Sequence, residues 1–308
     1  MSENVSEQEY LRQHLEQVEG KNIAPEKQYT DNKTISDSTV SNLSYFTVDV
    51  KDLPSGIFYP VGTIIQIRPA EVTEIQAFSM VDDNNFHDIV EKMNEMLSSC
   101  IRVKYANGKI GSYLDLRDSD RFYLIFAIKE LTFQNGTNLV STVECSCGTE
   151  VNIELVRKNF RFFKIDEKLK KYFDPTNGYF VFETTNGSVY NMCPPTIGIQ
   201  KEFTDYIIQT KQKDKKINMS FLKIVPFTLV NRTSITSNGI DAKLMEFTKI
   251  NGIDFQFLFS AVDLMNFGIE KITKNCSCGL EVYSKMLFPD GASALFVISD
   301  AFDKYIKK

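Results

Sequence analysis

The chain has 308 residues, of which 43% are hydrophobic and 24% charged, a composition typical of a globular protein large enough for two domains. Its net charge of -5 argues against a nucleic acid or an anionic membrane as the general partner. No apolar run approaches the ~20 residues of a transmembrane helix, and the N-terminus lacks the pattern of a secretory leader. We therefore expect a non-membrane protein of a reducing compartment, whose six cysteines are thiols or metal ligands.

Composition separates an N-terminal arm from the rest of the chain. Residues 1–44 contain no phenylalanine, although the whole chain has 24. A segment so poor in large apolar residues cannot offset the entropy lost on ordering, so we predict a flexible arm. Its residues 7–19 have a short helical pattern, which either frays or docks on a partner. The remainder is predicted to form a first half, residues 45–158, and a second half, residues 159–308.

Hydrophobic periodicity predicts the elements of the first half in chain order. Thr73 and Gln76 have the spacing of a capping box, which marks the start of a helix. Four further segments have clear periods: strands at 46–51 and 63–69, an amphipathic helix at 86–100 and a helix at 122–131 that is apolar on nearly every side. In the second half, Phe180 and Phe182 lie in a predicted strand that ends in an Asn186-Gly187 hairpin turn.

A seven-residue pattern occurs twice. Residues 145–151 read CSCGTEV and residues 276–282 read CSCGLEV. Each copy follows an aromatic-rich segment, which begins at Asp120 in one case and at Asp254 in the other. This shared order predicts an internal duplication. The predicted fold class is α+β: two similar halves, each with amphipathic helices packed on small antiparallel sheets and each with a Cys-x-Cys-Gly hairpin.

The two cysteine pairs together make four candidate metal ligands. Thiolates are preferred zinc ligands, and a structural zinc site takes four of them. A glycine follows each pair, as a tight turn requires, but only one residue separates the paired cysteines where a standard knuckle has two. One zinc ion held between the halves, two separate sites, and turns without metal all remain open. The candidate ligands are Cys145, Cys147, Cys276 and Cys278.

The sequence contains no catalytic motif. It has only two histidines, no phosphate-binding glycine loop, no dinucleotide fingerprint and no Gly-x-Ser-x-Gly elbow. We interpret Asp118 and Asp120 as helix caps, and Cys100 and Cys193 as structural thiols. The prediction is a non-enzymatic protein that acts through protein–protein contacts.

The turn at residues 56–60 places two aromatic residues, Phe58 and Tyr59, side by side between Gly56 and Pro60. A turn of this length cannot cover both rings by itself. Two interpretations stay open. Either the rings pack back on their own domain, or at least one ring anchors a partner, as aromatic residues often do at interfaces.

The segment LPSGIFYPVGTIIQIRPAEVTEIQAF resembles the start of the baseplate hub subunits of T-even-type contractile-tailed bacteriophages. The later DRFYLIFAIKELTF and the CSCG hairpin are similar to that family as well. The likeness is strongest over residues 53–155 and weaker over 179–287. The short cysteine spacing, the extra arm and the missing Leu-Pro-Ser opening of the second half depart from the family pattern.

This resemblance implies a structural or assembly protein of the phage tail baseplate hub. Its partners would be other tail and baseplate proteins, and its location the host cytoplasm during assembly or the virion itself. The alternative from another class is a zinc-stabilised four-cysteine binding or regulatory module of a transcription or nucleic-acid complex. A salt-dependent interaction with DNA would distinguish that alternative.

Overall fold

The computed structural model describes residues 44–133, 139–157, 160–212, 218–265, 272–284 and 292–296. Helices and four small antiparallel sheets alternate along these residues, so the predicted α+β class is confirmed. The predicted N-terminal arm lies outside the described residues except for Ser44. None of the helices in the described ranges has the length and apolar character needed to cross a bilayer.

The first sheet has four strands in the order β1-β2-β3-β4, and each pairs antiparallel with the next. Its inner face is built by alternation, because Ile65, Ile67 and Val103 are buried while Arg102 and Lys104 point to solvent. The strands are β1 (Phe46–Val48), β2 (Ile64–Ile67), β3 (Ile101–Lys104) and β4 (Ile110–Gly111).

Three helices cover this sheet: α1 (Val72–Ser79), α2 (Phe86–Cys100) and α3 (Arg121–Thr132). The α2 helix begins at Asn85, whose side chain accepts hydrogen bonds from the His87 and Asp88 backbone N–H groups. It confirms the predicted amphipathic helix, and α3 confirms the predicted buried one, since every side chain from Tyr123 to Ile128 is buried.

The predicted capping box of α1 is wrong by two residues. The box is formed by Glu71 and Glu74, and the Glu71 N–H donates to the Glu74 carboxylate at 2.7 Å. The same carboxylate receives the buried guanidinium of Arg68. A long acidic side chain can reach both groups at once, whereas Thr73 and Gln76 lie inside the helix.

The second sheet is the three-stranded meander β7 (Phe173–Asp174), β8 (Tyr179–Glu183) and β9 (Val189–Met192). The β8–β9 turn passes through Asn186 and Gly187, as predicted, and Gly187 has a φ of 80°. Phe180 and Phe182 point into the core from the inner face. Four helices follow: α4 (Ile197–Gln212), α5 (Met219–Ile224), α6 (Ser237–Phe247) and α7 (Gly252–Leu264).

Two large hydrophobic cores result, and the Phe58–Tyr59 turn joins them. Phe58 is fully buried in the second core, where its ring lies 4.8 Å from that of Phe163 and 6.0 Å from that of Phe180. Tyr59 is 5% exposed and belongs to the first core. Adjacent aromatic residues therefore anchor the turn in both cores and connect the two parts of the chain.

A buried polar cluster fixes the same junction. The Arg117 guanidinium donates to the carbonyl oxygens of Phe58, at 2.6 Å, and Pro194, at 2.9 Å. The Arg117 backbone N–H donates to the Tyr59 hydroxyl, which in turn donates to the Asp120 carboxylate at 2.8 Å. Buried charges of this kind are tolerated only when they are paired and hydrogen-bonded, so this cluster orients the two cores specifically.

Candidate metal centre

Two short hairpins carry the four candidate ligands. Strands β5 (Leu139–Glu144) and β6 (Glu150–Leu155) pair antiparallel, as do β10 (Ile272–Asn275) and β11 (Glu281–Ser284). The first cysteine of each pair begins the turn: the Cys145 N–H donates to the Thr149 carbonyl, and the Cys276 N–H donates to the Leu280 carbonyl.

The glycine after each cysteine pair closes the turn. The Gly148 N–H donates to the Cys145 carbonyl at 2.8 Å, and the Gly279 N–H donates to the Cys276 carbonyl at 2.9 Å. Gly148 has a φ of 81° and Gly279 a φ of 87°, a conformation that side chains with a Cβ rarely adopt. The repeated sequence therefore builds the same turn twice.

The two turns bring all four sulfur atoms together, with every pair within 4.8 Å. The Cys145 and Cys278 sulfurs are 3.7 Å apart, and so are those of Cys147 and Cys276. Zn–S bonds of about 2.3 Å in a tetrahedron place the sulfurs about 3.8 Å apart. The donor type, number and spacing thus fit a tetrathiolate zinc ion, and they do so despite the one-residue spacer.

The short contacts are reciprocal. The first cysteine of each pair contacts the second cysteine of the other pair. The strands follow the same rule, since β5 packs against β11 and β6 packs against β10. Contacts crossed in this way are those that a local two-fold relation between the hairpins would produce.

Each hairpin contributes one buried and one exposed thiol. Cys145 and Cys276 are 3% and 5% exposed, while Cys147 and Cys278 reach the surface. The thiol of Cys147 lies 3.3 Å from the Thr149 hydroxyl, and hydrogen bonding from that residue lowers the Cys147 pKa to about 6. At Cys278 the Leu280 backbone N–H lowers the pKa. The neighbouring Cys147 and Cys276 act in the opposite direction with a larger combined effect, so the net Cys278 pKa rises to about 12.

The rise at Cys278 comes from the crowding of four thiols in a small volume, whereas the fall at Cys147 comes first from Thr149. A negative charge on one sulfur makes ionisation of the next sulfur unfavourable. A bound dication removes this conflict, because it stabilises all four thiolates together.

Little apolar surface holds the hairpins against each other. Among the side chains that the structure describes, their buried cluster consists of the two inner cysteines and three aliphatic residues, Val151, Ile153 and Val282, with Val143 packed against it. Polar links across the pair include a Ser284–Ser141 hydroxyl contact of 2.9 Å and a hydrogen bond from the Lys274 ammonium to the Asn152 carbonyl. Two-stranded hairpins are marginally stable alone, so a further link between them has a clear physical purpose.

The other predicted site residues lie elsewhere. Phe58 and Tyr59 are buried inside the chain, which corrects the interpretation of either ring as an exposed anchor for a partner. Cys100 is buried on α2, with its thiol 3.4 Å from the Glu74 carboxylate, and burial raises its pKa to about 12. Cys193 is buried against the Arg117 guanidinium at 3.2 Å. Both agree with the structural role expected of them.

The sequence pattern did not predict a pair of buried, hydrogen-bonded carboxylates. Asp120 accepts hydrogen bonds from the Ser55 N–H at 2.9 Å, from the Ser55 hydroxyl and from the Tyr59 hydroxyl. Asp254 accepts from the Thr185 N–H and the Thr185 hydroxyl, both at 2.9 Å. In each case the aspartate lies at the start of the helix that precedes a cysteine hairpin.

The hydrogen-bond donors of this pair also correspond. Ser55 lies in a turn between β1 and β2, and Thr185 lies in the turn between β8 and β9. The aspartate at the head of each aromatic segment was the available signal in the sequence. Its role as an acceptor for a distant turn was not visible there.

Comparisons with protein-family models, with curated proteins and with solved structures each found no match for this chain.

Proposed function

We propose that this chain is a non-enzymatic structural or assembly protein in which one zinc ion ties two related halves together. The single observation that carries the proposal is the convergence of four thiols from two equivalent hairpins, at the spacing of a zinc tetrahedron. A zinc ion with four thiolates has no open position for a substrate or an activated water, so its role here is structural.

The duplication is part of this proposal. Three features support it: the equivalent cysteine turns, the reciprocal contacts between them, and the paired Asp120 and Asp254 acceptors. The sheets that precede the helices differ, since the first has helices inserted between β2 and β3 and the second is a continuous meander. We interpret this difference as divergence after duplication.

We further propose that the assembly is the tail baseplate hub of a contractile-tailed bacteriophage. The support is the sequence resemblance, carried by residues that the structure places at the junction of the cores. Leu53, Ser55, Phe58 and Tyr59 of the resembling turn are all buried there. The resemblance thus involves a structural element of the fold and not an exposed loop.

Metal analysis of the purified full-length chain tests the zinc site. We expect one zinc ion per chain. Two zinc ions would indicate separate sites, and zinc-free protein with free thiols would contradict the proposal. Cys147→Ser, which replaces one of the two exposed candidate ligands, should remove most of the zinc because one ligand of four is lost. The matched control, Ser146→Ala in the same turn, should keep it.

The assembly role is tested by isolating the tagged full-length chain from infected host cells. We expect tail or baseplate proteins in a defined ratio to the chain. Recovery with nucleic acid, in a manner that weakens steeply with salt, would instead support the regulatory alternative.

A further inference from the structure

The outer edge of β9 presents backbone groups away from its sheet. Among the strands that the structure describes, β9 pairs with β8 alone, in the strand order β7-β8-β9. In an antiparallel ladder, successive residues direct their N–H and C=O groups to opposite edges. The Thr184 N–H bonds to the Ser188 carbonyl at the hairpin end, which sets the alternation. Val189 and Asn191 therefore direct their backbone groups outward.

A neighbouring contact supports this assignment. Cys193, two residues beyond Asn191, donates its N–H from the same edge to the Phe227 carbonyl at 2.9 Å. Within the described part of the chain, the backbone groups of Val189 and Asn191 have no such partner. The chain itself therefore satisfies the edge at Cys193, whereas the outward backbone groups of Val189 and Asn191 are free to accept a further strand.

A cleft of about 400 Å³ lies along this open stretch. Its lining comes from β9, from Thr228 and Val230, and from the C-terminal part of α6. Tyr190 and the buried Phe247 give the cleft an apolar base. A space of about 400 Å³ takes a short stretch of chain and is too small for a second sheet or another folded copy.

We propose that this cleft binds an extended peptide segment of a partner protein, which adds to β9 as a further strand. Backbone hydrogen bonds to Val189 and Asn191 would give affinity, as in other strand-addition interfaces. The Lys249 ammonium at the rim has no ion-pair partner among the described residues, so an acidic side chain on the peptide suits this end. This inference holds independently of the kind of assembly that the chain joins.

Peptide binding by the full-length chain tests the proposal. The probe is a fluorescently labelled library of end-blocked hexapeptides with one fixed acidic position, and we expect selected peptides to bind with micromolar affinity. Asn191→Pro removes one outward N–H but leaves the ladder to β8 intact, so affinity should fall about tenfold or more. Asn191→Ser, which retains the N–H, should bind like the unchanged chain.

Hydrogen exchange provides a readout that needs no variant. The Val189 and Asn191 amides should exchange quickly in the free chain and slowly with a selected peptide, whereas the Tyr190 amide should be protected in both. The proposal is overturned if no peptide binds, or if Asn191→Pro binds normally. It is also overturned if the outward amides are already protected in the free chain, by its own residues or by a second copy.

Discussion

The Asp120 carboxylate offers a sharp test of the reasoning about the junction. Its side chain is fully buried and accepts three hydrogen bonds, two from Ser55 and one from Tyr59. Burial opposes the charge, while these donors and the nearby Arg117 favour it. Burial is the larger effect, and the Asp120 pKa rises from 3.8 to about 6.

The sign of the pH dependence follows from that shift. The folded state favours the protonated acid, so its stability contribution is fully present below pH 3.8 and is lost as the pH rises through about 6. A rise of about two pKa units corresponds to about 3 kcal/mol. Asp120→Asn cannot ionise. We therefore expect the unchanged chain to lose about 2 kcal/mol of unfolding free energy relative to this variant between pH 4 and pH 7.

Urea unfolding of both proteins at several pH values, followed by circular dichroism, measures this difference. Asp254→Asn is the matched control with the opposite trend. Desolvation raises the Asp254 pKa, but hydrogen bonds from Thr185 and Asn251 lower it more, so the net shift is downward. The unchanged chain should gain stability relative to Asp254→Asn as the pH rises through 3.8. A flat difference for Asp120→Asn, or the same trend in both variants, would refute the reasoning.

Three further predictions concern packing and the metal. Phe58→Ala should cost about 3–5 kcal/mol of unfolding free energy, because the ring is fully buried in the second core; unchanged urea unfolding would contradict this. Gly178→Ala should cost more than about 1 kcal/mol of unfolding free energy, because φ at this position is 68° and the new Cβ would lie 2.6 Å from the Phe58 carbonyl carbon. Gly108 also has a positive φ but lies in open space, so urea unfolding of Gly108→Ala measures the backbone strain without the clash. Removal of zinc by a chelator should abolish amide protection in β5–β6 and β10–β11 but not in α2 or α3, because the hairpin cluster is small and separate from the two large cores. Hydrogen exchange measures this difference.

Local features of this fold follow from the sequence because a few neighbouring residues determine them. The α2 helix is encoded by apolar residues at helical spacing, and the two cysteine turns by a glycine that adopts positive φ. The four candidate metal ligands could be named in advance as well, because the same seven-residue pattern occurs twice.

Only the tertiary structure decided which distant groups meet. Whether the cysteine pairs form one cluster depends on how the two hairpins pack, and short-range periodicity carries no information on that. Phe58 and Tyr59 are a second example. Their sequence pattern fits an exposed anchor for a partner and a buried anchor equally well, and only the packing of the two cores shows that both rings are buried. Asp120 looked like a helix cap because its donors lie more than sixty positions away along the chain. Contacts at such separations arise from the packing of whole elements, so the sequence by itself does not reveal them.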